Sequence, residues 1–356
     1  MNGAFKVVTL SLALLINALG ADLRAASLEI IAAKWAPLLY TDYAPGLTQA
    51  ETGFNPVDHP LNLFFDGNTD LRDNDVNVFL LDREKIRESM ENPTIYYSVI
   101  ESMTHYYITY VVYHAIDFKS FGHAHDTENI WTVIKKTAAP YGSLVAQITN
   151  VHGYPMVYSP DPVLEAEWRA KVNFPMQMRI FPLLDAYSLS HRDGPAEYIQ
   201  RENTKSLQVF ISSRSHAIYK WSRKAWKEGQ GSGGVYLPEK CVECLQQEGS
   251  TAKDRVFIYK LENWDRTVNA LFQQASSRAF PGYMPPGYEE IIPKANLFPT
   301  TSFKTPHRLA DPIGMHVWFT GTHEGISGNY LYNPYIKKSP SLWASFESNK
   351  KKKSEN

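Results

Sequence analysis

The sequence predicts a β-rich fold, all-β or α+β, arranged as a β-sandwich with helical and loop insertions. Three observations predict it. Aromatic residues make up 13 % of the chain, with 21 Tyr and 17 Phe, and flat, stiff side chains suit a half-buried pleated surface. Short runs of β-branched and aromatic residues recur between turn formers. The stretches separating them read as loops rather than regular helical patterns, which disfavours both a parallel α/β sheet and an all-helical bundle.

The elements follow in chain order. Residues 1–26 read as a secretory signal peptide: Lys6 is the one charge in the first twenty residues, the apolar run Val7 to Ile16 follows, and small residues offer cleavage after Gly20 or near Ala25-Ala26. That run falls short of the roughly 20 residues needed to span a bilayer, so the mature chain is expected to be exported, secreted or periplasmic, without a transmembrane segment. Residues 27–340 are expected to form one domain. It begins with a helix over Leu28 to Trp35 and a strand over Pro37 to Tyr40, then a polar loop from Phe65 to Asp75. Strands are predicted over Tyr106 to Tyr113, Ile130 to Ile134, Leu144 to Val151, Leu207 to Ser212, Val256 to Leu261 and His316 to Thr320. Helical patches at Arg83 to Met90, Val163 to Val172 and Arg266 to Ser276 decorate them. Gly229 to Thr251 and Phe280 to Pro306 read as long surface loops, and residues 341–356, with Lys350 to Lys353, as a solvated tail.

Charge narrows the partners. With 36 Lys+Arg against 37 Asp+Glu the net charge is −1, which supplies no field for phosphate polymers, so no nucleic acid is expected. Cys241 and Cys244, the two cysteines, form Cys-Val-Glu-Cys. In an oxidising compartment this reads as a loop disulfide or free thiols, with redox or metal chemistry as the alternative.

The chemistry concentrates in Gly122-His123-Ala124-His125-Asp126-Thr127-Glu128. Strand alternation puts Asp126 and Glu128 on one face, Gly122 allows His123 to fold back toward them, and Asp117 is a further oxygen donor. Asp117, His123, Asp126 and Glu128 are therefore candidate ligands, and carboxylates with a single imidazole suit Ca²⁺, Mg²⁺ or Mn²⁺. The other reading is a polar strand end with a turn cap. His216, in Ser215-His216-Ala217, either joins the cluster or hydrogen-bonds a neighbouring loop. Asp66, Asn68 and Asp70 alternate as in a calcium loop, but Leu71 and Asn77 stand where an EF-hand needs Gly and Glu; a plain Asp/Asn turn is the alternative. Gly321 to Asn329 reads as a turn whose His323 and Glu324 can line a cleft. No Gly-x-Ser-x-Gly elbow occurs for a serine hydrolase.

The Gly122 to Asn129 run resembles the Gly-His-Arg-His-Asp-Trp-Glu signature of the necrosis- and ethylene-inducing-peptide-like proteins, secreted β-sandwich cytolysins that hold a divalent cation. Thr127 stands where that family has Trp. The resemblance implies Asp117, His123, Asp126 and Glu128 around the ion, with His125 a nearby polar partner. Ala32 to Tyr40, the His-Asp-x-Glu strand and Ile211 to Ala217 are also similar to the vacuolar-protein-sorting-related family, implying a shared fold. The functional expectation is a secreted metal-binding protein that recognises a glycan or lipid headgroup through its ion, with peripheral membrane contact. A hydrolase using metal-activated water, with His125 or His216 as base, and a structural metal site in a protein-interaction module are the alternatives. Binding ranks above catalysis, because no nucleophile or base is marked as strongly as the metal cluster.

Overall fold

The longest hairpin among the described residues forms in a stretch rich in β-branched and aromatic residues. In a computed structural model, which describes residues 28–44, 55–68, 73–80, 83–118, 124–151, 154–167, 196–228, 233–239, 241, 244, 255–264, 266–267 and 330–332, β3 (His105–Ile116) pairs antiparallel with β4 (Ala124–Lys135) along almost its whole length. The register runs from His105 opposite Lys135 to Ile116 opposite Ala124. Both faces of β3 are buried, with Tyr107, Tyr110 and Tyr113 fully enclosed.

Around this hairpin the other strands form one curled, mixed sheet. They are β1 (Leu38–Asp42), β2 (Thr94–Ser102), β5 (Ser143–Val151), β6 (Tyr154–Tyr158), β7 (Tyr198–Arg201), β8 (Thr204–Ile211), β9 (Ile218–Lys220), β10 (Gly233–Pro238), β11 (Arg255–Asn263) and β12 (Tyr330–Tyr332). The order is β6-β5-β4-β3-β2-β11-β10-β1-β8-β7, with β12 added to β2 and β9 to β8. The pairs β1/β8, β10/β11 and β11/β2 are parallel.

Side chains close the curl. Thr149 Oγ1 on β5 donates to the Ile218 carbonyl of β9 at 2.6 Å, and the Tyr158 hydroxyl of β6 accepts from the Lys220 amide at 3.1 Å. The β8–β9 corner is thereby held against β5 and β6, and Tyr40, Trp221, Phe210 and Ile130 belong to one continuous buried core.

The helices are short. Helix α1 (28–35) buries Leu28, Ile31, Ala32 and Trp35, the i, i+3, i+4, i+7 stripe of an amphipathic helix. The last carbonyls of a helix lack intrahelical partners; here Arg201 Nη1 donates to Ala33 and Lys34 at 3.0 and 3.1 Å. Helix α2 (Asn74–Leu80), α3 (Arg83–Glu91), α4 (162–167) and α5 (Arg223–Glu228) complete the described helices.

Two expectations need correction. The stretch Gly229 to Thr251 is not loop throughout, since Gly233–Pro238 is the interior strand β10, buried along its length between β1 and β11. The polar loop expected from Phe65 to Asp75 gives way to α2 from Asn74, whose Asn74 side chain is buried and donates to the Leu63 carbonyl and Tyr113 hydroxyl. His316 to Thr320, nearly all of Arg266 to Ser276, Phe280 to Pro306, and residues 1–26 and 341–356 lie outside the described residues.

Candidate metal centre

The hairpin register sets His114 directly opposite Asp126. A third residue comes from the turn after β8, where Ser212 to Ala217 folds back on itself. There the His216 amide donates to the Ser212 carbonyl at 3.1 Å, the Ser212 amide to the Ala217 carbonyl at 3.1 Å, and the Ser212 and Ser215 hydroxyls lie 3.0 Å apart. The turn is bolted to its surroundings by Ser213 Oγ donating to Asp42, by the Phe118 amide donating to the Arg214 carbonyl, and by the Arg214 amide donating to Asp58.

These ties hold an unfavourable backbone. His125, Arg214 and His216 have φ of 58°, 65° and 49°, a left-handed conformation that costs a residue with a Cβ about 1–2 kcal/mol. Asn203 is the other non-glycine residue of that kind among the described residues. Strain gathered at one place persists when surrounding contacts over-determine it.

The side chains that result are enclosed. His114 and His216 are 0 % exposed and Asp126 5 %, and one donor atom from each lies within 4.8 Å of the others. The two imidazoles stack, with centroids 3.7 Å apart and planes 6° from parallel. His216 sits between two carboxylates: Nδ1 is 2.8 Å from Asp126 Oδ2, and Nε2 is 3.4 Å from Asp58 Oδ1. Asp58, also 0 % exposed, is fixed by the Ala44 amide at 2.8 Å and the Asn55 side-chain amide at 2.6 Å, both on Oδ2.

The electrostatics of the two rings diverge. Burial lowers the pKa of His216, but the hydrogen bond to Asp126, the approach of Asp58 and the charges of both outweigh it and hold the group up at about 9. Burial, and then the charges on His216 and His59, push His114 well below the usual histidine value, so its ring is neutral. Neither ring nitrogen of His114 has a hydrogen-bond partner. An imidazole normally uses both nitrogens, and leaving a buried polar group unpaired costs about 1–3 kcal/mol.

The sequence-predicted residues are distributed as follows. Asp126 is in the cluster and His216 joins it. Glu128 is buried on β4 two residues along, sharing Asp126's face by strand alternation. Asp117 lies half-buried just beyond β3, and His123 lies outside the described residues. His125 turns to the opposite face, where its Nδ1 meets the Tyr113 hydroxyl at 3.0 Å. His114 and Asp58 were not anticipated, although an antiparallel hairpin closing over 117–123 puts His114 opposite Asp126 by counting alone. Cys241 and Cys244 are joined by a disulfide and buried. Asp66 accepts from Asn68 and Asn77, while Asp70 of the same loop, and His323 and Glu324, lie outside the described residues.

No protein-family model matches the chain, and no curated protein matches it either. Solved structures similar to it include NLPPya in complex with mannosamine, at a TM-score of 0.31 and 14 % identity over 76 % of this chain and 90 % of that one. A structure described as a toxin fold for microbial attack and plant defense has a TM-score of 0.25 and 15 % identity, over 58 % and 82 %. NLPPya in complex with glucosamine has 0.26 and 15 %, over 58 % and 81 %. These values describe a distant likeness in the path of the chain and say nothing of what this chain binds.

Proposed function

We propose that this protein is a secreted, divalent-metal-binding β-sandwich whose ion takes part in recognising a glycan or a lipid headgroup. The observation that carries the metal reading is His114: a neutral, wholly buried imidazole with neither nitrogen hydrogen-bonded, set against Asp126 and His216. Unpaired buried donors and acceptors are rare, and a metal ion gives an orphaned lone pair its partner. Secretion is supported by the signal-like residues 1–26. No described helix is long and apolar enough to cross a membrane.

The ligand class rests on the resemblance of Gly122 to Asn129 to the cytolysin signature. Just beyond β3, Asp117 is half-buried and Phe118 exposed, and the Phe118 amide is tied to the Arg214 carbonyl, so exposed surface lies four residues along the chain from His114. A second reading, a structural ion that staples β3, β4 and the Ser212 to Ala217 turn, is favoured by the burial of His114 and His216. Hydrolysis is less well supported, since His125 and His216, the candidate bases, are 1 % and 0 % exposed.

Metal content of the purified chain, measured by mass spectrometry before and after chelation and in Asp126→Ala, tests the proposal. About one equivalent that is lost in the variant, with a lower melting temperature, supports it, because an ion bound to the folded state stabilises by mass action. No bound metal, and no stabilisation on adding divalent ions back, would sink it. Glycan arrays and vesicles of anionic and neutral lipids, with and without chelator, separate recognition through the ion from a structural role.

A further inference from the structure

We propose that the centre takes a nitrogen-preferring transition ion, zinc before the others, on His114, Asp126 and Nδ1 of His216, and that Asp58 is the residue that positions His216 for it. The proposal deepens the metal reading above and depends on it.

The donor set carries the first half. Hard ions such as calcium and magnesium take six or more oxygens or keep several waters, whereas two imidazoles and one carboxylate suit zinc, iron, cobalt or manganese. The cluster offers two imidazoles and Asp126 in an enclosed site. The imidazole lone pairs lie in the ring planes and the two rings are parallel, with centroids 3.7 Å apart, so sharing one ion would require His114 and His216 to turn their edges toward each other.

Asp58 carries the second half. An imidazole that binds a metal through one nitrogen commonly donates its other N–H to a carboxylate, which fixes the tautomer and raises ligand basicity. His216 approaches that arrangement: Nδ1 lies 2.8 Å from Asp126 Oδ2, and Nε2 lies 3.4 Å from Asp58 Oδ1, an ion-pair approach that does not complete a hydrogen bond. Asp58 is itself held by the amides of Ala44 and Arg214 and by Asn55. It has no freedom to swing away, and with the Nε2 proton kept on the Asp58 side it is the Nδ1 proton, facing Asp126 at 2.8 Å, that a bound ion would displace.

The test uses the full chain with its disulfide oxidised, stripped by chelation and titrated with Co²⁺, Zn²⁺, Ca²⁺ and Mg²⁺. One equivalent of Co²⁺ should develop visible absorption that Zn²⁺ abolishes and that Ca²⁺ and Mg²⁺ in roughly thousandfold excess leave intact, as expected for nitrogen donors. His114→Phe should abolish the signal. Asp58→Asn should weaken zinc binding about 10–100-fold and shift the cobalt bands. Should Asp58→Asn fail to fold, X-ray absorption of the zinc-loaded wild type counts imidazole scatterers without any variant, and two are expected. Calcium or magnesium competing on equal terms, or fewer than two imidazoles, overturns the ion and donor set while the metal reading stands. Unchanged affinity in Asp58→Asn overturns its positioning role. No binding of any of the four ions overturns this inference and the metal reading together.

Discussion

The imidazoles of His114 and His216 lie parallel, 3.7 Å between centroids, one neutral and the other held charged by two aspartates. A neutral ring with two idle nitrogens is a poor choice for a core position unless something uses them. Replacing it with an aromatic ring that has no polar atoms separates packing from chemistry. His114→Phe is therefore expected to leave the metal-free protein as stable as the wild type, or about 1 kcal/mol more stable, because unpaired buried atoms are removed. It should also lose all stabilisation by added metal. Paired thermal melts with and without zinc check both; a variant that still gains stability from zinc excludes His114 as a ligand.

The curl of the sheet depends on few cross-links, and Thr149 supplies one, its hydroxyl bonded to the Ile218 carbonyl two residues from His216. Thr149→Val keeps the β-branched shape and leaves that carbonyl unpaired. A loss of about 1–2 kcal/mol in urea unfolding is expected. Since Ile218 lies at the foot of the His216 turn, metal affinity should fall alongside; a variant as stable as wild type would show that the Thr149 bond adds nothing to the Lys220–Tyr158 link and the packing around it.

Some of this was legible in the sequence and some was not, for physical reasons. The strands at Tyr106, Ile130, Leu144, Leu207 and Val256 announce themselves by aromatic and β-branched runs, and α1 by its buried stripe. Gly233-Gly234 hides β10, because glycine ordinarily marks a turn or weakens a strand. The parallel pairings β1/β8, β10/β11 and β11/β2 are set by long connections that carry no local pattern. At the centre, the Asp126 and Glu128 alternation is visible, and so is His216. His114 is masked by the tyrosines around it, and Asp58 by its place in a polar loop; the two meet His216 only through tertiary contact.

The two glycines of β10 are space-filling requirements rather than flexible joints. A Cβ at Gly233 would run into the Trp226 indole and come within 2.9 Å of the Thr41 carbonyl, and one at Gly234 would meet the hydroxyl of Tyr43 and, at 2.7 Å, the Tyr236 ring. Tyr43 and Tyr236 are locked to each other at 2.7 Å and to His59, so neither has room to yield. Gly233→Ala and Gly234→Ala should each cost about 1–3 kcal/mol through overpacking, read as lower denaturation midpoints. Wild-type stability in either would mean that the β1–β10 contact is looser than described.

His105, at the far end of β3 from the metal cluster, gives a pH dependence free of metal chemistry. Burial, and then the charges of Lys135 and Lys136, lower it from 6.5 to about 4, while Lys136 is itself paired with Glu101 at 2.6 Å. The folded protein thus holds the ring neutral where the unfolded chain would protonate it. Between about pH 6.5 and 4 the unfolded state binds more protons, so stability rises with pH across that window. The contribution is fully present above 6.5, and falls away as pH drops toward 4. Each unit of depression is worth about 1.4 kcal/mol. His105→Gln removes the titration, so the wild-type advantage over the variant, followed by urea unfolding at several pH values in chelator, should shrink steadily from pH 6.5 to 4 and be level above. A difference that is flat across the window would mean that the ring is protonated in the folded state and that the loop at Ser102 to Thr104 admits water.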